Sequence, residues 1–336
     1  MFKVDTTARV EDAPGFRRMF AAGRLTLGLF FPIEAFQQDQ PTMREQERLA
    51  VRAQALEFAA LWCRDVPLRD PSFGDVGQVY DPWVYLGWIG AITRDIALAT
   101  GSVVLPLRDP LHVAKAAASV DRLSRGRLVL GVASGDRPVE FPAFGVDIER
   151  RASLFREDFE AIRRVLETEF PVLQTSRGVL SGAADLVPKP MGRLPLLVTG
   201  NSGQPLPWIA AHSDGWISYP RSIEHQSETV ARWRAHVHEA APGRFKPFAQ
   251  SLYIDLDADP LLQPTPIHLG FKSGRNFLLQ FLETLRGIGV NHVILNLKYG
   301  ARPAAEVLEE IGTEVLPALA AAGNETSMAT ADGTLA

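Results

Sequence analysis

The stretch RLVLGVASGDRPVEF, Arg127 to Phe141, decides how this chain is read. Its apolar run, Leu128 to Ala133, has the length and composition of a buried β-strand. It then gives way at once to Ser134-Gly135-Asp136-Arg137-Pro138, with neither a helix cap nor a tight hairpin in between. Two readings stand open. The strand belongs to a barrel and spills into a rim loop whose polar groups face a ligand, or it is a strand end that simply reaches water.

Working outward, short β-rich runs alternate with helical patterns along most of the chain. The strand candidates are Leu25–Phe31, Phe58–Cys63, Ile96–Leu105, Leu128–Ala133, Leu194–Thr199, Gly215–Tyr219, Ala249–Leu256 and His292–Leu297. Between them, PTMREQERLAVRAQALE, HVAKAAASVDRLS, RASLFREDFEAIRRVLE, GRNFLLQFLETLRGIG and PAAEVLEEIGTEVLPALAAA carry apolar residues at helical spacing. Eight strand–helix units predict a parallel sheet, and eight is the number that closes a (β/α)8 TIM barrel, here with insertions. A doubly wound open sheet calls for a glycine fingerprint after its first strand. Leu25–Phe31 is followed instead by Pro32-Ile33-Glu34-Ala35, which leaves no GxGxxG at that position. The expected organisation is a loose N-terminal arm (1–22), one barrel domain (23–322) and a disordered tail (323–336). The long connections Val172–Arg193 and Asp257–Ser273 are expected to cover the active face or meet a partner.

Composition narrows the function classes. With 46% hydrophobic and 22% charged residues, the chain has globular composition. A net charge of −4 gives no general attraction for nucleic acid or anionic membrane. No run reaches the ~20 apolar residues of a membrane span, and the acid-bearing N-terminus does not read as a secretory signal. The single cysteine, Cys63, excludes an internal disulfide and a cysteine zinc cluster. His236 and His238 stand two apart on a helical stretch and diverge, so no metal site is expected. The cytoplasm is the expected location.

In a barrel of this kind the ligand site lies at the C-terminal ends of the strands. Read that way, the polar candidates are Arg64-Asp65, Gly101-Ser102, Arg108, Ser134-Gly135-Asp136, Gly200-Asn201-Ser202-Gly203, Asn296 and Lys298. The turn in VTGNSGQPLPW offers free N–H groups and the Ser202 hydroxyl, a cradle for phosphate. The same residues also suit a simple helix cap. Asp65 can accept a hydrogen bond from a heterocycle or act as a base, or it can form a salt bridge with Arg64 or Arg69. Cys63 fits a small core residue better than a nucleophile. No GxSxG elbow is present, which weakens a hydrolase reading. Phe30, Phe31, Trp62, Trp83 and Trp88 can wall a flat ligand or serve as packing.

Together, Leu105-Pro106-Leu107-Arg108-Asp109-Pro110, then Val120-Asp121-Arg122-Leu123-Ser124-Arg125-Gly126-Arg127, then the strand ending in Ser134-Gly135, resemble the bacterial luciferase-like, flavin-dependent monooxygenase family. Pro195 to Trp216 resembles the same family's fifth-strand segment, and looser likeness runs from Leu25 to Leu319. The resemblance implies a barrel that holds reduced FMN, or in one branch a deazaflavin, across the strand ends. It implies that Asn201, Ser202 and Gly203, with Gly200 before them, seat the phosphate. Ser134, Gly135 and Asp136 would line the flavin's polar side, with Asp65 near the ring. It also implies a non-proline cis peptide in Ser102-Val103-Val104 beneath the ring. Many relatives carry a His after strand two, where this chain reads Trp62-Cys63-Arg64-Asp65.

The expected activity is that of a two-component monooxygenase. A separate flavin reductase delivers reduced FMN, dioxygen is the co-substrate, and a small organic molecule is oxygenated. Asp65 and Arg108 are the side chains expected to do the polar catalytic work, with the Asp257–Ser273 loop, carrying His268 and Lys272, as a lid. The alternatives are hydride transfer with a deazaflavin, supported on Arg137, Arg151 and Arg221, and flavin binding without turnover. A sugar-phosphate barrel enzyme is a further rival. A homodimer is compatible with the apolar outer helices.

Overall fold

The structure, a computed structural model, describes residues 7–321; the expected tail (323–336) lies outside the described residues. The strands, in chain order, are Thr26–Phe30 (β1), Ala60–Cys63 (β2), Ala97–Thr100 (β3), Val103–Val104 (β4), Leu128–Ala133 (β5), Val172–Thr175 (β6), Gly178–Ser181 (β7), Leu196–Thr199 (β8), Gly215–Ser218 (β9), Phe248–Leu256 (β10), Thr265–Ile267 (β11), Gly270–Ser273 (β12) and His292–Asn296 (β13). Eight of them pair in parallel in the order β1-β2-β3-β5-β8-β9-β10-β13, and β13 returns to β1, which closes the barrel. Each of the eight expected strands is present. The third is split, because Gly101-Ser102 interrupts the ladder between β3 and β4.

The helices are Pro14–Met19 (α1), Gln46–Ala55 (α2), Pro82–Ile92 (α3), Pro110–Leu123 (α4), Glu140–Ala143 (α5), Arg151–Glu167 (α6), Leu206–His212 (α7), Ile223–Ala240 (α8), Arg275–Gly287 (α9) and Ala304–Glu310 (α10). Their apolar stripes and the outward residues of the strands form one large core, with Leu61, Leu98, Leu130, Phe155, Phe159 and Trp233 among its members. In α4 the buried stripe is Val113, Ala114, Ala117, Ala118 and Val120, started by an Asp109 cap that accepts from Leu111 N and His112 N.

A second core fills the barrel itself. Strand alternation turns Phe30, Trp62, Ala99, Val129, Leu197, Ile217 and Ile294 inward. The described part of the arm expected to be loose, residues 7–22, is packed: Val10, Phe16, Met19 and Phe20 belong to this inner core and close the barrel's N-terminal end. The physical reason is that an open barrel end exposes apolar side chains, and α1 covers them. Gly15 has to be glycine there, since a Cβ would lie 2.3 Å from the Arg127 carbonyl oxygen. Just above α1, Trp62 Nε1 donates to His292 Nε2 at 3.0 Å. The other ring nitrogen, Nδ1, lies 2.7 Å from Thr26 Oγ1, which donates onward to the Met19 carbonyl. The imidazole is therefore neutral and protonated on Nδ1. Gly28 leaves room for this pair, as a Cβ would sit 2.6 Å from His292 Nε2.

Both long connections contain structure of their own. Residues 172–181 form the β6–β7 hairpin. Residues 265–273 form the β11–β12 hairpin, and β12 runs parallel to the upper end of β10, pairing Gly270 with Tyr253.

Candidate functional site

Three strand ends meet at the barrel mouth through hydroxyl groups. Ser102 Oγ is hydrogen-bonded to Thr199 Oγ1. Ser202 Oγ donates to the Thr199 carbonyl at 2.8 Å and accepts from Ser134 N at 3.2 Å. Ser102, Ser134 and Ser202, far apart in sequence, thus form one chain across β4, β5 and β8. The turn after β8 is left-handed at Gly200 (φ +57°), Ser202 (φ +47°) and Gly203 (φ +71°). It is also well fastened: Trp216 Nε1 donates to the Gly200 carbonyl at 2.6 Å, and Asn201 Oδ1 accepts from Gly203 N at 3.2 Å. Gln204 accepts from Arg156 Nε and donates to the Ala152 carbonyl. Gly203 packs so close to α6 that a Cβ would lie 2.4 Å from that of Ala152.

The other expected residues fall as follows. Gly135 has φ +86°, and a Cβ there would meet Val104 Cγ1 at 2.8 Å. Asp136 is exposed on the rim. Val103 turns its side chain into the outer core, so it offers the mouth backbone alone. The non-proline cis peptide is Gly101–Ser102, one bond before the Ser102-Val103-Val104 segment where the resemblance places it. Gly101 lies directly over two rings, because a Cβ would stand 2.9 Å from Phe30 Cε1 and 3.1 Å from Trp62 Cε3.

Asp65 and Arg108 are bound to each other. Arg108 Nε and Nη2 donate to the two Asp65 oxygens at 2.8 and 2.7 Å, and Val104 N adds a third bond at 3.2 Å. The Asp65 side chain is 2% exposed. Its salt bridge is with Arg108, neither Arg64 nor Arg69. Strand parity explains this: Trp62 and Arg64 face the barrel interior, so Cys63 and Asp65 face the helices. Arg108 also reaches the α3 cap residue Asp81 at 3.0 Å. The pair ties the loop after β2 to β4 and α3.

Arg64 is the residue that enters the mouth. Its guanidinium lies 5.6 Å from the Phe30 ring centre and forms a two-pronged bond with Asp75 at 2.8 and 3.2 Å. Burial pushes the Asp75 carboxyl up, but the Arg64 charge and bonds outweigh it and hold the group below its usual range. Tyr253 OH approaches Asp75 at 3.4 Å. Arg137 Nη2 donates to the Asp75 carbonyl at 2.5 Å, with its guanidinium 3.9 Å above the Phe73 ring. Tyr253 packs on Tyr299 and His268, at centroid distances of 5.1 and 5.7 Å. In the closed ring, β5 and β8 stand across from β13 and β1. The mouth therefore has a small, hydroxyl-lined wall on one side and an aromatic, charged wall on the other, over a floor of Phe30, Gly101 and Trp62. The sequence reading missed the Arg64–Asp75 pair and Tyr253; the alternation Trp62, Arg64 is the signal that finds Arg64. Among the described residues no group of His, Cys, Asp and Glu could hold a metal ion, and no helix is long and apolar enough to cross a membrane.

Eight parallel strands, each followed by helical chain, make this a (β/α)8 barrel of the luciferase-like oxidoreductase class. The family model for luciferase-like monooxygenases matches residues 25–258, and the chain belongs to that family. An uncharacterised protein of Mycobacterium tuberculosis (strain ATCC 25618 / H37Rv) is 39% identical over 164 residues, 46% of this chain and 57% of that protein. The 4-hydroxyprotoasukamycin monooxygenase of Streptomyces nodosus subsp. asukaensis is 30% identical over 172 residues, 49% of this chain and 46% of that enzyme. The chain thus spans about half the length of these curated relatives. Among solved structures, an F420-dependent secondary alcohol dehydrogenase in complex with an F420-acetone adduct superposes with a TM-score of 0.72 at 17% identity, covering 88% of this chain and 99% of that one.

Proposed function

We propose that this chain is a two-component monooxygenase that takes reduced FMN from a separate flavin reductase and uses dioxygen to oxygenate a small organic substrate. One observation supports the reading: the Ser102–Thr199–Ser202–Ser134 hydrogen-bond chain joins the turn after β8 to the ends of β3 and β5 at one mouth. The residues fit the cofactor. In the left-handed turn Gly200 N is bonded to the Ile217 carbonyl and Gly203 N to Asn201 Oδ1, which leaves the Asn201 and Ser202 N–H groups to meet a phosphate. Gly135 and Gly101 let the backbone lie close on Val104 and on Phe30, where a Cβ would stand at 2.8 and 2.9 Å.

In this reading Gly200, Asn201, Ser202 and Gly203 seat the phosphate, and Ser134, Gly135 and Asp136 border the ring's polar edge. Ser102 and the Val103 backbone support the ring's underside. When bound, the reduced ring supplies the electrons that activate dioxygen. Phe30 and Trp62 keep water from below. Asp65 and Arg108 are positioning residues that fix Val104 and the loop after β2, while Arg64, Asp75 and Tyr253 face the substrate.

The test is anaerobic binding of reduced FMN, followed by oxygen uptake in a reductase-coupled assay. Binding with uptake supports the monooxygenase. Binding without uptake leaves a flavin carrier, and tighter binding of a deazaflavin turns the assignment to hydride transfer. Loss of both ligands ends the cofactor reading altogether.

A further inference from the structure

The wall that faces the hydroxyl chain across the mouth includes the upper ends of β10 and β13. Ala249 and Ile294 point into the barrel, so strand alternation turns Ser251, Tyr253 and Asn296 the same way. Asn296 pairs with Tyr253 in the ladder and stands one step past the Leu29–Leu295 pair, which sets it beside Phe30 of the floor. The orientation of its amide is fixed by one bond. Lys298 N donates to it at 3.0 Å, so the atom engaged there is the oxygen, and the N–H groups are turned elsewhere. Asn296 is only 3% exposed, yet among the described residues nothing accepts from those N–H groups. Nor do they belong to the polar atoms that packing seals in without a partner. Side chains buried this deeply ordinarily satisfy their donors. What is left for these is the open space of the mouth.

The charges nearby are already engaged. Arg64 is held by Asp75, Lys272 lies 3.8 Å from Asp255, and Lys298 Nζ turns to the Gln38 carbonyl at 2.6 Å. An anion brought here would be stripped of water without a free cation to meet it, whereas a neutral oxygen needs only a donor. We propose that Asn296 determines substrate choice: its amide N–H groups bind an uncharged acceptor oxygen on a small molecule whose apolar body lies on Phe30 and Tyr253. Half-buried Ser251, two residues before Tyr253 on the same inward row, adds a hydroxyl next to Asn296's strand. That this ligand is the substrate rests on the cofactor reading above; that the donors take a neutral oxygen does not.

The full chain, labelled with heavy nitrogen, is titrated with cyclohexanone, methylcyclohexane and benzoate while the Asn296 side-chain amide signal is followed by NMR. Its disappearance in Asn296→Asp assigns that signal. Cyclohexanone is expected to move it and methylcyclohexane to leave it in place. Asn296→Asp keeps the oxygen that Lys298 N requires and replaces the donors with an acceptor. Cyclohexanone should then bind about three- to tenfold more weakly, and cyclohexanol, which can donate, should become the better ligand. Asn296→Ser supplies the assignment and the same loss of ketone affinity should the aspartate variant fail to fold. Reduced FMN, titrated anaerobically, is expected to bind the wild type and the variants alike. A signal that cyclohexanone leaves unmoved, or that methylcyclohexane moves as far, overturns the proposal. So does benzoate that binds more tightly than the ketone, or FMN affinity that is lost with the Asn296 donors, which would give the residue to the cofactor. Ketone binding that depends on Asn296 in a chain that binds no FMN keeps the donor site and removes the cofactor reading.

Discussion

Ser202 Oγ is both acceptor and donor, joining Ser134 N to the Thr199 carbonyl. In Ser202→Ala the Ser134 N–H, which is buried, loses its partner, at a cost of about 1–3 kcal/mol. The turn would loosen where the phosphate sits, so reduced-cofactor affinity is expected to fall by roughly tenfold or more, against about 1.4 kcal/mol per decade. Anaerobic fluorescence titration reads this directly, and unchanged affinity would take Ser202 out of the site. Asp65→Asn is expected to behave in the opposite manner. Breaking the buried two-pronged pair leaves Arg108 only the more exposed Asp81 carboxylate, so the cost approaches the roughly 3–5 kcal/mol of a fully broken buried pair without exceeding it. The outcome is a clear fall in the urea midpoint with cofactor affinity nearly retained in the folded protein. A tenfold loss of affinity at unchanged stability would instead put Asp65 against the ring.

The short helix α1 matters more than its six residues suggest. Phe16 is 1% exposed, inside a cluster that spans the floor of the barrel. Phe16→Ala should lower stability by about 3–5 kcal/mol, the range for a buried aromatic truncated to a methyl group. Chemical denaturation tests it, and a loss below about 1 kcal/mol would mean that the plug adds little to the fold. The sequence hid this element because PGFRRM is too short to show a helical period. α3 was missed for another reason: PWVYLGWIGAI is apolar on every side, so no polar face marks the repeat, although Asp81-Pro82 forms a good start signal. α6, by contrast, was legible to the residue, since RASLFREDFEAIRRVLE alternates buried and charged positions with a 3.6-residue period.

The closed parallel ring was legible as a whole because eight apolar strand candidates were separated by stretches of helical length, five of them with visible helical spacing. The mouth was legible in part. Ser102, Ser134 and Ser202 sit at strand ends and were found by position, whereas Asp65 was assigned to the mouth by position without asking which way its strand turned it. Arg64–Asp75 joins residues eleven apart across a loop, a pairing that no periodicity marks. The barrel interior also gives the protein a definite response to acid. Burial, the main cause, lowers the His292 pKa to about 3, far under the value of 6.5 for a free side chain. The unfolded chain therefore takes up a proton that the native chain refuses. Stability from this residue is complete above pH 6.5 and declines as pH drops toward 3, by about 1.4 kcal/mol for each pH unit. Urea midpoints measured from pH 7.5 to 4.5 should fall more steeply for the wild type than for His292→Gln; equal slopes would show that the imidazole is not held neutral.

The indole of Trp62 lies directly beneath Gly101, fixed by its bond to His292, at the spot over which the ring is proposed to settle. Such closeness makes it an internal optical gauge. Emission from this side chain would be quenched by energy transfer as soon as a yellow chromophore arrives. A Trp62→Phe protein that still binds but shows a smaller drop in ultraviolet-excited light would locate the ring without any label.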